Sequence, residues 1–187
     1  DSRYPAIDID RDGNPHFVWE DGNKIFYNRW NKTEKEWHHK VINKETSDSI
    51  DPSITCDGMG HVYLTWSDAY EYNESGTDKD IYYRKWVSGN DTWLNIQLVS
   101  STSTTDSIQS SLTSDTSGNI HVIWSDNTDF DDSGGDWDIV YKKCLVDYDG
   151  NPELAISSPL NHSYCNDAPW IDVAAYDLNL DSTWYGN

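Results

Sequence analysis

Lysine and arginine are scarce in this chain: 13 among 187 residues, against 33 acids, for a net charge of −20. Such a surface repels phosphate, which argues against nucleic acid as a partner, and it is repelled in turn by anionic membranes. Glutamate occurs 7 times and methionine once, so residues that favour helices are thin. No run of ~18 apolar residues exists, and no membrane-spanning helix is expected. No signal peptide opens the sequence, so Asp1 reads as a mature or trimmed start. The three cysteines, Cys56, Cys144 and Cys165, leave at least one without a partner.

What is present is aspartate, 26 of the 33 acids, together with 10 Trp and 12 Tyr. Asp caps turns and ligates calcium. The aromatics give the chain a core to bury, which argues against disorder despite the charge. Four N-x-S/T sequons, at Asn31, Asn73, Asn90 and Asn161, fall in polar, turn-like stretches where a glycan must sit. They point to an extracellular protein.

One phrase is written three times: GNPHFVWED, GHVYLTWSD and GNIHVIWSD. Anchored on Trp19, Trp66 and Trp124, each copy has an apolar residue twelve places earlier (Ile7, Ile54, Leu112) and an Asp nine earlier (Asp10, Asp57, Asp115). A Gly follows that Asp (Gly13, Gly60, Gly118), and a second Asp comes two places after the Trp (Asp21, Asp68, Asp126). Then come KIFYNRW, DIYYRKW and DIVYKKC. Alternating apolar positions, β-branched and aromatic residues, and Gly/Asp/Asn punctuation predict four antiparallel strands per copy. The fourth strand opens on Trp37 and Trp93 in the first two copies and is expected at residues 153–157 in the third. The anchors are spaced 47 and then 58 residues apart because copies two and three insert residues between strands two and three. Such insertions decorate one face of an array.

Units of this size match β-propeller blades. The runs PSITCDGMGHVYLTWSD with DIYYRKW, and SLTSDTSGNIHVIWSD with DIVYKKC, resemble the sialidase-like, BNR or Asp-box type β-propeller repeats of secreted bacterial and archaeal surface proteins. The resemblance covers roughly residues 3–157 and implies an all-β array of three four-stranded blades, at about 1–46, 47–105 and 106–157. The family's Asp-box, S-x-D-x-G-x-x-W, is degraded here to NKTEKEW and SGNDTW, with only the Trp kept. Residues 158–187 resemble the opening strands of Ig-like modules, although PWIDV also echoes PAIDI at the start of the first copy. Three blades do not close a ring and half a sandwich leaves edges bare. Either the natural chain is longer, or neighbouring subunits complete both modules as a homo-oligomer or polymer.

The densest acidic cluster is the third-copy insertion, where Asp126, Asp129, Asp131 and Asp136 offer oxygens for a calcium ion. The alternative is a solvated acidic loop. Sialidase chemistry needs an arginine cluster, and Arg29 and Arg84 fall at equivalent places in successive copies, which reads as structure. His16 and His121 interchange with Tyr63, which favours packing over zinc ligation. Cys144 stands where Trp30 and Trp86 stand in the other copies, and a disulfide from Cys144 to Cys165 would staple the tail to the third copy.

The resulting expectation is a non-catalytic extracellular structural protein, a surface-layer or fibre subunit and not an enzyme. Two alternatives remain open. One is a carbohydrate-binding module using Tyr70, Tyr72 and Trp137 on the insertion face; the other is a glycoside hydrolase fragment.

Overall fold

The computed structural model describes residues 1–43, 48–71, 76–129 and 135–144 in full, and the backbone alone of 162–165 and 168–174. Among these residues there is no helix, and every strand lies in one of three antiparallel sheets. The first sheet takes its strands in chain order: β1 (Ser2–Ile9), β2 (Pro15–Asp21), β3 (Lys24–Asn31) and β4 (Glu36–Val41). The second repeats this with β5 (Ile50–Cys56), β6 (Val62–Asp68) and β7 (Asp80–Val87), and its fourth position is shared by two short strands, β8 (Thr92–Trp93) and β9 (Gln97–Leu98). The third contains β10 (Ser107–Ser114), β11 (Ile120–Asp126) and β12 (Asp138–Cys144).

The tail departs from expectation. Residues 153–157 lie outside the described residues. The fourth position of the third sheet is held by β14 (Ala168–Ala174), paired to β12 from Val140 opposite Ala174 to Cys144 opposite Trp170, with β13 (His162–Cys165) beyond it. Residues assigned to a separate Ig-like segment therefore extend the third sheet. The echo of PAIDI in PWIDV marks a sequence that pairs readily as a strand, not the start of a fourth unit.

The three sheets pack face to face, with β1 beside β5 and β5 beside β10. Strand β6 explains the order. Its alternate residues Val62, Leu64 and Trp66 join Val18, Ile25, Tyr27 and Ile42 of the first sheet in one core. Tyr63, on the other side, joins Leu112, Ile120, Val122 and Trp124 of the third sheet in a second core. Every residue of β6 is buried, whereas β2 and β11 are buried at alternate positions of opposite parity, so among the described residues only the middle sheet is covered on both faces. The anchor tryptophans Trp66 and Trp124 are 1% and 3% exposed. Each buries on the order of 200 Å², or roughly 5 kcal/mol before entropy is charged.

Candidate functional site

Each sheet has two ends. At one end lie the turns after strand one, and they are built alike. Gly13, Gly60 and Gly118 have φ of 79°, 83° and 82°, which only glycine adopts without strain. Asp10 accepts the N–H groups of Asp12 and Asn14 through Oδ1, as Asp57 does for Met59 and His61, and Asp115 for Ser117 and Asn119. The other carboxylate oxygen faces His16 Nε2 at 3.2 Å, Tyr63 Oη at 2.7 Å or His121 Nε2 at 3.3 Å. His16 and His121 each meet a tyrosine, Tyr27 or Tyr141, at 2.7 Å through Nδ1. The interchange of His and Tyr thus follows from one hydrogen-bonding task, holding the turn Asp. Burial opposes ionisation of Asp10, but bonds from Asn14 and His16 outweigh it and hold the carboxyl below its ordinary value. This end is scaffold.

The opposite end is where the insertions between strands two and three emerge, and where strand one is strained. Tyr4, Asp51 and Gln109 occupy one repeat position, fifteen residues before the anchor Trp. All three are non-glycine residues in the left-handed region, with φ of 52°, 51° and 56°. Each sits in a β-bulge, where the register slips between Arg3 and Ala6, Ile50 and Ser53, and Ile108 and Ser111. A left-handed residue other than glycine costs roughly 1–2 kcal/mol, and bulges re-aim side chains at sheet rims. Repeating that strain three times, on strands that lie side by side, gathers a phenol, a carboxyl and an amide at one end of the stack.

The charged groups there are unusual for a scaffold. Burial pushes the Asp51 carboxyl above its ordinary value, with the Lys79 charge acting the other way. Glu20, directly opposite Arg3 in the ladder, is 1% exposed; its Oε1 lies 3.7 Å from the Arg3 guanidinium and its Oε2 accepts no hydrogen bond. In the other copies this position is Ser67 and Ser125, so the buried carboxylate is particular to the first sheet.

A latch missed by the sequence reading fixes this end. Ser2, Ser49 and Ser107, seventeen residues before each anchor, donate to Asp21, Asp68 and Asp126. The indole N–H groups of Trp66 and Trp124 donate to the same Asp68 and Asp126. The signal was a serine in constant register, hidden in a Ser-rich chain.

Among the described residues of the expected calcium set, Asp126 is committed elsewhere. Asp126 is fully buried, and its two oxygens accept from Ser103 Oγ, Thr128 N, Ser107 Oγ and Trp124 Nε1. Those four bonds use the lone-pair positions of a carboxylate, so Asp126 is a structural latch. Asp129 and Asp136 are exposed, and Asp131 lies outside the described residues. Elsewhere, Glu34, Glu36 and His38 converge on an exposed turn, where His38 Nε2 sits 2.6 Å from Glu34 and 3.6 Å from Glu36.

Of the sequons, Asn31 uses its side-chain oxygen to accept the N–H groups of Thr33 and Glu34 in a turn, and Asn90 is exposed. Asn73 and Asn161 lie outside the described residues. Cys144 is a buried free thiol, so the staple to Cys165 is not formed; Cys165 sits two strands away, beyond β14. Two strand spacings amount to ~9.6 Å, and a disulfide spans Cα atoms less than ~7 Å apart. Arg29 and Arg84 are not equivalent either. Arg29 pairs with His16 on the face toward the second sheet, whereas Arg84 pairs with Leu64 and donates to the carbonyls of Leu94 and Ile42. Both remain structural. Of the aromatic residues expected to meet sugar, Trp137 is 48% exposed, Tyr70 donates its N–H to Asp68, and Tyr72 lies outside the described residues.

A second surface feature lies on the first sheet. Its outer face carries a cleft of about 660 Å³ lined by Arg3, Pro5, Ile7, Phe17 and Trp19. Phe17 meets Trp37 edge-on at 5.2 Å, and Trp19 stacks on Phe26 at 5.6 Å.

No family model matches the sequence, and no curated protein does. Solved structures do share the fold. An exo-1,5-α-L-arabinanase from a bovine ruminal metagenomic library aligns at 16% identity with a TM-score of 0.51, covering 78% of this chain and 54% of its own. A thermostable family-43 glycoside hydrolase aligns at 15% identity and 0.45, covering 79% and 55%. A fucose lectin from Kordia zhangzhouensis, solved with methyl-fucoside, aligns at 14% and 0.44, covering 92% and 99%. The fold is β-propeller-like. The chain spans 54% of the arabinanase's length, and nothing in the likeness singles out sialidase-type repeats or an Ig-like module. The expectation of a protein that is not an enzyme is corrected here. An arabinanase is built on this fold, so neither the all-β repeat nor the degraded Asp-boxes give grounds to exclude catalysis.

Proposed function

We propose that the chain is a carbohydrate-recognising β-propeller module of an extracellular protein, its three sheets acting as blades, with the sugar site at the strained end of the inner strands. The observation that carries this reading is the triple bulge. Tyr4, Asp51 and Gln109 are held in a costly conformation at one repeat position, and strain of that kind persists where it positions a functional group. Their chemistry suits a sugar: an aromatic face for the apolar side of a pyranose or furanose ring, and carboxyl and amide groups for paired hydroxyls. Arg3 adds a donor at the same end. The arabinanase, by its name, acts on a glycan, which supports the substrate class. This reading takes the place of a fibre or surface-layer subunit.

A second reading, glycoside hydrolysis at the same place, is favoured by one specific observation. Glu20 is a buried carboxylate with an unbonded oxygen, on the strand that packs against β5, which carries Asp51. Hydrolysis of a glycosidic bond uses two carboxyl groups in different environments.

The test is a glycan array probed with the 187-residue chain, followed by titration calorimetry on any hit. Binding that disappears in Asp51→Ala and Tyr4→Ala but survives Trp137→Ala supports the proposed site. A blank array removes the reading. Release of reducing ends from arabinan or another bound polysaccharide, lost in Glu20→Gln, distinguishes hydrolysis from binding alone.

A further inference from the structure

The faces of the middle sheet are covered and the outer faces of the stack are bare, and the two bare faces match. Take the face of each sheet toward its predecessor as leading, and the other as trailing. On the leading side, Ile54 and Leu112 are 7% and 8% exposed, but their first-sheet counterpart Ile7 is 66% exposed. On the trailing side, Val18 and Ile25 of the first sheet are 0% exposed, while their third-sheet counterparts Ile123 and Ile139 are 46% and 53% exposed. Both open faces carry the residues that are buried wherever the same junction occurs inside the chain.

We infer that two copies of this chain join leading face to trailing face at both ends, closing a ring of six sheets. The junction between the first and second sheets is the template. There Tyr27 meets Trp93 edge-on at 4.9 Å, His16 lies 6.1 Å from Trp86, and Arg29 sits 4.4 Å over the Trp86 ring while pairing with Asp91 at 3.1 Å. All members but Asp91 have counterparts on the bare faces. Tyr141, His121 and Lys143 of the third sheet stand for Tyr27, His16 and Arg29. Trp37 and Trp30 of the first sheet stand for Trp93 and Trp86, and the two tryptophan pairs face each other across the same ladder position. Asp91 itself corresponds to Lys35, so at the new junction a carboxylate for Lys143 has to come from Glu34 or Glu36, on either side of it.

Number completes the argument. Propellers close with about 4–8 sheets; the three sheets of the described residues are too few, and two copies of them give six. A ring also joins the strained ends of two copies around one axis, so a sugar bound there would meet Tyr4, Asp51 and Gln109 from both. The ring does not depend on the carbohydrate reading.

Sedimentation equilibrium of the full 187-residue chain at micromolar concentration tests this. The expected species has twice the 21.5 kDa mass of one chain. Ile7→Asp on the leading face and Ile139→Asp on the trailing face alter residues that are mostly exposed in a single copy, so each variant keeps its circular dichroism and melts cooperatively. Each alone weakens dimerisation by about a hundredfold or more. Mixing the two restores a two-copy species, because one unaltered pair of faces remains. A wild-type chain that stays monomeric, a series growing beyond two copies, or a mixture that stays monomeric overturns the ring. Failure of the glycan array leaves these masses unchanged, so the two ideas fail separately.

Discussion

Ser107 donates to Asp126 Oδ2 at 2.7 Å, tying the first residue of an inner strand to the last residue of its neighbour. The same oxygen takes the indole N–H of Trp124 at 2.9 Å. One carboxylate therefore fixes both the strand end from which the bulge departs and the rotamer of the core tryptophan. Asp126→Ala leaves the Trp124 N–H and the Ser107 hydroxyl unmet in a site closed to water. The expected loss is about 2–4 kcal/mol of unfolding free energy by urea titration. Calcium added to wild type or variant does not change the difference between them. A variant as stable as wild type, or one whose loss calcium repairs, would show that the latch is misread.

Much of this fold was legible because the repeat has a fixed register. Ile54, Trp66, Leu112 and Trp124 are buried as their spacing required, and the turns at Gly13, Gly60 and Gly118 need the positive φ that their glycines supply. Strand β6 shows why pattern alone understated burial. Thr65 and Ser67 look like solvent positions, yet they are buried because the third sheet covers a face that sequence periodicity assigns to water. The strained end was not legible. Tyr4, Asp51 and Gln109 share neither size, charge nor shape, so no residue-type motif marks the position; what they share is a backbone conformation. The acidic loop misled for the reverse reason. Asp126 was grouped with its neighbours by sequence proximity, but it ends a strand and points into the core, while Asp129 and Asp136 stay on the surface. Strand four of the third sheet was missed because a segment distant in sequence pairs there.

Acid should weaken the fold in two steps. Burial holds the His16 imidazole below its ordinary value of 6.5, despite the nearby Asp10 carboxylate, and burial does the same to His61. The unfolded chain therefore binds protons at these histidines before the native state does. Their contribution is fully present above about pH 6.5 and is lost as pH falls below it. The Asp10 carboxyl, held below its ordinary 3.8, adds a second loss below that value. Urea midpoints are expected to be level from pH 7 to 8 and to decline from pH 6.5 toward 5. His16→Gln flattens part of that decline. A profile with no slope between pH 6.5 and 5 in the wild type would contradict the buried neutral imidazole.

The thiols offer a check on the third sheet. Burial pushes the Cys144 thiol up to about 12, and burial raises Cys56 as well. A thiol, unlike a thiolate, is a poor nucleophile. Iodoacetamide at pH 8 should leave both residues unmodified in the native protein and alkylate them fully in denaturant, read by peptide mass mapping. A reducing agent should not shift the melting temperature, because Cys144 takes part in no disulfide. Protection of Cys144 in denaturant that is lifted by a reductant would restore the staple to Cys165.

Asp51 separates stability from function. Its carboxyl is pushed up by burial, so the native state resists the charge that the unfolded chain carries freely. For a carboxyl raised on folding, the penalty is absent below the unfolded value of 3.8 and fully felt once pH exceeds the folded value. Asp51→Asn removes it. The variant should melt higher than wild type at pH 7 and converge with it near pH 4; Lys79→Met, by removing the charge that pulls the other way, should widen the gap at pH 7 without moving the convergence. The same substitution should abolish glycan binding, since the proposed site loses its acceptor carboxylate. A residue kept for packing alone would give up stability when changed. Thermal melts of Asp51→Asn at the two pH values, run beside calorimetry with a bound glycan, read both quantities on one protein. A variant that binds normally removes Asp51 from the site, and one that melts lower at pH 7 shows that the buried carboxyl carries no penalty.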